Sequence, residues 1–202
     1  MSGAMDGMEA RDPVRHSQVW NLPNILTYGR ILAVPIVAAL LLWGGDSARW
    51  AAVVIYVLAA ISDFFDGYLA RKWKQQSSLG RMLDPIADKV LVAVVLLVLC
   101  ADGILAGGHI WAAVIILSRE VLVSGLREYL GELQVSVPVT KIAKWKTTVQ
   151  LVAIGFLIAG PAGDALSLHT TVLGIALLWV AAGLTLYTGY DYFRAGLRHV
   201  VD

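Results

Sequence analysis

Six apolar runs divide the chain, at about Ile25 to Trp43, Trp50 to Leu69, Ile86 to Leu105, Ile110 to Leu130, Ile142 to Ala159 and Thr171 to Tyr190. Each is close to the roughly 20 residues that an α-helix needs to cross a hydrocarbon core of about 30 Å. None alternates in polarity like the strands of a membrane barrel, which would be about 10 residues long. The pattern predicts an all-α, polytopic membrane protein with six transmembrane helices. The connections near Gly44 to Arg49, Ala106 to His109 and Gly160 to His169 are short, rich in Gly and nearly free of Lys and Arg.

Composition agrees with this reading. Of 202 residues, 58% are hydrophobic and only 15% charged, against about a quarter charged in soluble domains. A water-soluble globule, a disordered chain and a secreted disulfide scaffold are all excluded. The single cysteine, Cys100, has no partner for an internal bridge. The net charge of +1 says nothing until the charges are placed along the chain; the apolar spans make the lipid bilayer, and no nucleic acid, the expected partner. Residues 1–18 read as a polar tail with no signal-peptide core, and residues 19–202 as one membrane domain.

The positions of the basic residues set the expected orientation. Arg11, Arg15 and Arg30 lie near the start, and Arg71, Lys72, Lys74, Arg81 and Lys89 lie around the second connection. Arg119, Arg127, Lys141, Lys144 and Lys146 surround the fourth, and Arg194 and Arg198 close the chain; only Arg49 falls on the other side. The positive-inside rule then predicts that both termini and these two connections are cytoplasmic. Trp43, Trp50, Trp73, Trp111 and Trp145 fall near span ends, where interfacial indoles are expected.

The second connection carries the chemistry. Asp63, Asp66, Gly67, Ala70 and Arg71 are followed, after eight residues, by Gly80, Asp84 and Asp88. Asp63 and Asp66 are three apart and Asp84 and Asp88 four apart, so each pair shares a helical face. Four facing carboxylates repel unless cations neutralise them, and hard oxygen ligands without His or Cys select Mg²⁺ or Mn²⁺ over zinc. Gly67 and Ala70 leave the helix surface bare for a substrate, and the planar fork of Arg71 suits a phosphate. The set fits a pyrophosphate. A second class of function uses the same acids as a cation or proton relay in a transporter. Such sites sit near the bilayer midplane on broken helices, whereas these acids lie at span ends beside Lys and Arg.

The spacing D-x-x-D-G-x-x-A-R, eight residues, G-x-x-x-D-x-x-x-D resembles the signature of the CDP-alcohol phosphatidyltransferases. That resemblance implies two Mg²⁺ or Mn²⁺ ions, a CDP-diacylglycerol donor, a homodimer and a site on the cytoplasmic face of the inner (cytoplasmic) membrane. It implies Asp63, Asp66 and Asp84 as metal ligands, and Asp88 as the general base, itself close to a metal. Asp63, Asp66, Gly67, Ala70, Arg71 and Gly80 would shape the CDP site.

Further segments bear on the acceptor alcohol. Arg119 and Arg127 are two helical turns apart on one face, and Lys141, Lys144 and Lys146 follow. Fixed cations beyond those the donor needs argue for an acceptor with its own phosphate. The segments R-E-h-h-h-S-x-L-R-E (h, apolar), K-x-K-T-T-x-Q and Asn21 to Arg30 are similar to the branch of the family that makes phosphatidylglycerophosphate. The implied acceptor is glycerol 3-phosphate, with Arg119, Arg127, Lys144 and Lys146 as candidates for its phosphate. Two alternatives stay open: topogenic roles for the lysines, and an ion pair from Arg119 to Glu120 or Glu128. A cardiolipin synthase using phosphatidylglycerol is the runner-up within the family. Asn24 and Thr27 are expected to cap the first helix, His109 and His169 to be interfacial polar residues, and Tyr187 to Tyr192 to form an aromatic belt.

Overall fold

The computed structural model describes residues 22–73, 78–135 and 141–197. The tail expected over residues 1–18 lies outside them. So do the side chains of Asp63, Asp66, Ala70 and Arg71 and the surroundings of Gly67, although their backbone is helical. Among the described residues there are six α-helices and no strand: α1 (Leu22–Trp43), α2 (Asp46–Trp73), α3 (Ser78–Ala101), α4 (Ile110–Glu132), α5 (Lys141–Asp164) and α6 (Thr170–Leu197). A single 3₁₀ turn, Gly107–His109, precedes α4.

Helices α1, α4, α5 and α6 contain stretches long and apolar enough to cross a membrane. Helices α2 and α3, of 28 and 24 residues, carry the acidic motif across their adjoining ends. Burial is distributed as lipid demands. Leu32, Leu42, Leu97, Val121 and Val172 face outward, whereas Asn24, Thr27, Arg30, Lys146 and Gln150 are buried. With no water in hydrocarbon, polar side chains must find partners inside the bundle. The apolar core joins Val37 and Leu41 of α1 to Leu96 and Leu99 of α3 and to Ile154 and Leu157 of α5.

The end of the bundle away from the acids is clamped by charge. Arg49, at the start of α2, pairs with Asp102, just past the end of α3, and donates from Nη1 to the Ile158 carbonyl of α5 at 3.3 Å. Helix α5 is broken there: Gly160 has φ +41° and precedes Pro161. An added Cβ at Gly160 would lie 3.3 Å from Arg49 Nη1 and 3.1 Å from Ile104 Cδ1. The break frees carbonyls that need donors. The Thr170 hydroxyl donates to the Gly160 carbonyl at 2.6 Å, and Arg49 serves Ile158. Arg49→Leu should therefore strand the Asp102 carboxylate and the Ile158 carbonyl at a cost of about 1–3 kcal/mol. Its thermal midpoint in detergent should fall clearly below that of the unmodified protein; an equal midpoint would remove the clamp.

Candidate active site

At the other end, α1 lies against the acidic face of α3. Asn24, Thr27 and Arg30 recur at three-residue spacing, which places them on one side of an otherwise apolar helix. The Thr27 hydroxyl donates to Asp84 Oδ1 at 2.5 Å. Arg30 Nη1 lies 3.2 Å from Asp88 Oδ1, and its side chain is fully buried while that of Asp88 is 48% exposed. A buried guanidinium thus fixes the direction of a carboxylate that remains half exposed. Helix α1 begins at Leu22, so Asn24 and Thr27 stand inside its first turns rather than at its cap. The capping expectation is corrected: Thr27 serves an acid on another helix.

Asp84 and Asp88 sit one turn apart, about 6 Å along α3. Pro85 between them cannot donate to the carbonyl of Arg81, which loosens the helical ladder next to Asp84. Gly80, in the first turn of α3, is buried. Among the described residues no three acidic, imidazole or thiol groups converge on one point. Asp84 and Asp88 supply oxygen donors only, the donor set suited to Mg²⁺ or Mn²⁺. The residues present therefore fit a hard divalent cation.

The predicted cations divide into two groups. Lys146 of α5 bonds the Glu120 carboxylate of α4. Arg119 reaches the same Glu120 oxygen at 3.4 Å and the Thr188 hydroxyl of α6 at 3.4 Å. These side chains are 5% exposed for Lys146, 15% for Arg119 and 19% for Glu120. Helix α6 packs tightly over this point, since a Cβ on Gly189 would lie 3.0 Å from Arg119 Cγ. The pair left open for Arg119 is thus made with Glu120. Arg127 and Lys144, by contrast, are exposed, and the Arg127 guanidinium stands 5.9 Å from the Tyr192 ring centroid. The structure joins Arg119 to Lys146 and leaves Arg127 and Lys144 at the surface.

Two cations share one carboxylate in this cluster, and Arg119 Nε is buried without a hydrogen-bond partner. Such an excess of buried positive charge and unused donors calls for an anion.

A sequence model of the CDP-alcohol phosphatidyltransferase family matches residues 20–187, which include both the acids and this cluster. The chain belongs to the CDP-alcohol phosphatidyltransferase family. Among its relatives, a protein of Cereibacter sphaeroides is 43% identical over 91% of this chain and 98% of its own length. One of Rickettsia typhi is 45% identical over 87% and 96%, and one of Shigella flexneri 36% identical over 91% and 98%. All three are named CDP-diacylglycerol–glycerol-3-phosphate 3-phosphatidyltransferase.

Arg30 and Glu120, which the sequence reading does not place among the candidate site residues, pair with three of them, Asp88, Arg119 and Lys146. The signal for Arg30 is present: a polar stripe in an apolar span is costly and needs a reason. Glu120 gives no such signal, because its choice between neighbours depends on helix packing. The aromatic belt also divides, with Tyr187 and Tyr190 exposed while Thr188 and Gly189 face inward. His109 accepts from Trp179 Nε1 at 3.2 Å at the end away from the acids. The break in α5 lies at that end as well, so it builds no ion site around Asp84 and Asp88.

Proposed function

We propose that the protein transfers the phosphatidyl group of CDP-diacylglycerol to the primary hydroxyl of glycerol 3-phosphate, releasing CMP and forming phosphatidylglycerophosphate. The observation that carries this reading is the buried Arg119, Glu120 and Lys146 cluster, whose surplus cation suits an acceptor with its own phosphate. The names of the relatives agree with both substrates.

In this reading Asp63, Asp66, Gly67, Ala70, Arg71 and Gly80 hold the CDP moiety against α2 and α3. Asp63, Asp66, Asp84 and Asp88 would hold two Mg²⁺ or Mn²⁺ ions, which when bound neutralise the pyrophosphate and act as Lewis acids toward it. Asp88, directed by Arg30, takes the proton of the acceptor hydroxyl. The hydroxyl oxygen attacks the phosphorus that carries diacylglycerol, and the bond from that phosphorus to CMP breaks. Arg119 and Lys146 hold the acceptor phosphate; Lys144 and Arg127 lie nearer the surface, where they attract it. We take all six helices as membrane spans, with both termini and the site cytoplasmic in the inner membrane, and the assembly as a homodimer.

The test is CMP release from CDP-diacylglycerol by purified protein with glycerol 3-phosphate, glycerol or phosphatidylglycerol as acceptor. Glycerol 3-phosphate should be used far better than glycerol, whereas preference for phosphatidylglycerol would turn the reading to cardiolipin synthesis. Removing a buried charge-assisted bond costs roughly 1.5–3 kcal/mol, or tenfold to over a hundredfold in affinity. Lys146→Ala should raise the KM for glycerol 3-phosphate by about that factor and leave the donor KM nearly unchanged. Arg127→Ala should do less, because its guanidinium is solvated. An unchanged acceptor KM in folded Lys146→Ala protein would remove the cluster from the site.

A further inference from the structure

Two more buried polar atoms, on the helices that carry Lys146 and Thr188, have no hydrogen-bond partner: Gln150 Oε1 and Thr185 Oγ1. Both residues are nearly or fully inaccessible, at 4% and 0%. Gln150 follows Lys146 by four residues on α5 and shares its helical face, and Thr185 precedes by three, on one face of α6, the Thr188 that accepts from Arg119. Helices α5 and α6 pack against each other along their length. In the interior of a membrane bundle an orphaned polar atom is costly, and a native one needs an explanation.

The chemistry of the orphans is informative. Arg119 Nε is a donor, and a phosphate oxygen satisfies it. Gln150 Oε1 is an acceptor, and a phosphate dianion has no hydrogen to give it. Its partner carries an O–H or N–H group, which is either a buried water or a hydroxyl of the same ligand that brings the phosphate. Glycerol 3-phosphate has such a group beyond its reacting primary hydroxyl, namely the secondary hydroxyl next to the phosphoester carbon. Resting on the acceptor reading above, we propose that Gln150, aided by Thr185, binds the secondary hydroxyl of the acceptor and so selects a polyol phosphate over a simple hydroxyalkyl phosphate.

The experiment compares glycerol 3-phosphate with 3-hydroxypropyl phosphate, which keeps the phosphate and the primary hydroxyl and lacks only the secondary one. A site built to hydrogen-bond a hydroxyl rejects the analogue without it strongly. The unmodified protein should prefer glycerol 3-phosphate in kcat/KM by about 10²-fold or more. In Gln150→Leu that ratio should collapse toward one, through loss on glycerol 3-phosphate and none on the analogue. Thr185→Val, which keeps the shape of the side chain, should lower the ratio by roughly tenfold and covers the case in which Gln150→Leu fails to fold. A purely structural role would depress both acceptors together. A ratio near one in the unmodified protein, or an unchanged ratio in the folded variants, would overturn the proposal in favour of buried water at these atoms. Turnover of phosphatidylglycerol and of neither phosphate ester would instead overturn the acceptor reading, and this inference with it.

Discussion

Asp88→Asn should lower turnover by about 10²- to 10⁴-fold, the usual worth of a positioned general base, while donor affinity stays near that of the unmodified protein. The substitution is chosen for its geometry. Arg30 is fully buried and lies 3.2 Å from Asp88 Oδ1, and the amide oxygen of Asn still accepts from the guanidinium. The change removes the carboxylate without leaving Arg30 facing a hydrocarbon side chain. Asp63→Asn should behave differently, because in the proposed arrangement Asp63 holds both metal and donor: affinity for CDP-diacylglycerol should fall along with turnover. The measurements are single-turnover CMP release and binding of the donor to each variant. Equal loss of donor affinity in both would assign Asp88 to the metal shell and leave the base to be found elsewhere.

Chelation should have the largest effect of all. In EDTA, activity should drop to background, and Mg²⁺ or Mn²⁺ should restore it. The reason is electrostatic: in the proposed arrangement the four carboxylates of Asp63, Asp66, Asp84 and Asp88 receive a pyrophosphate, and like charge opposes binding unless cations intervene. A readout independent of activity is thermal stability. An ion present at 100 times its dissociation constant adds about 2.7 kcal/mol to the folded state, so the melting midpoint should rise with Mg²⁺. Asp84→Asn should blunt that rise. Full turnover in chelator, or a midpoint indifferent to both ions, would sink the metal proposal.

The hydropathy pattern located six helices in the right order, since a long apolar run is a local property of sequence; among the described residues four of them are long and apolar enough to cross a membrane. Helix ends were less legible. Apolar runs mark hydrocarbon, whereas helices continue through polar residues: α3 starts at Ser78 rather than near Ile86, and α6 reaches Leu197. The third run was expected to reach Leu105, but α3 stops at Ala101, where Asp102 turns to Arg49 and Gly103 takes φ +77°. A left-handed glycine closes a helix at no steric cost, even inside an apolar stretch.

The sequence by itself determined the class of protein and its family, because membrane spans and the spacing from Asp63 to Asp88 are both written in local periodicity. It also named most of the candidate residues. Only the tertiary structure decided which of them meet. Arg30 reaches Asp88 across 58 positions, Arg49 reaches Asp102 across 53, and Lys146 reaches Glu120 across 26. It likewise separated buried Lys146 from exposed Lys144, two residues away on the same helix. At 3.6 residues per turn, that small step is more than half a turn of α5, and which side faces the bundle is fixed by how α2 and α6 pack against it.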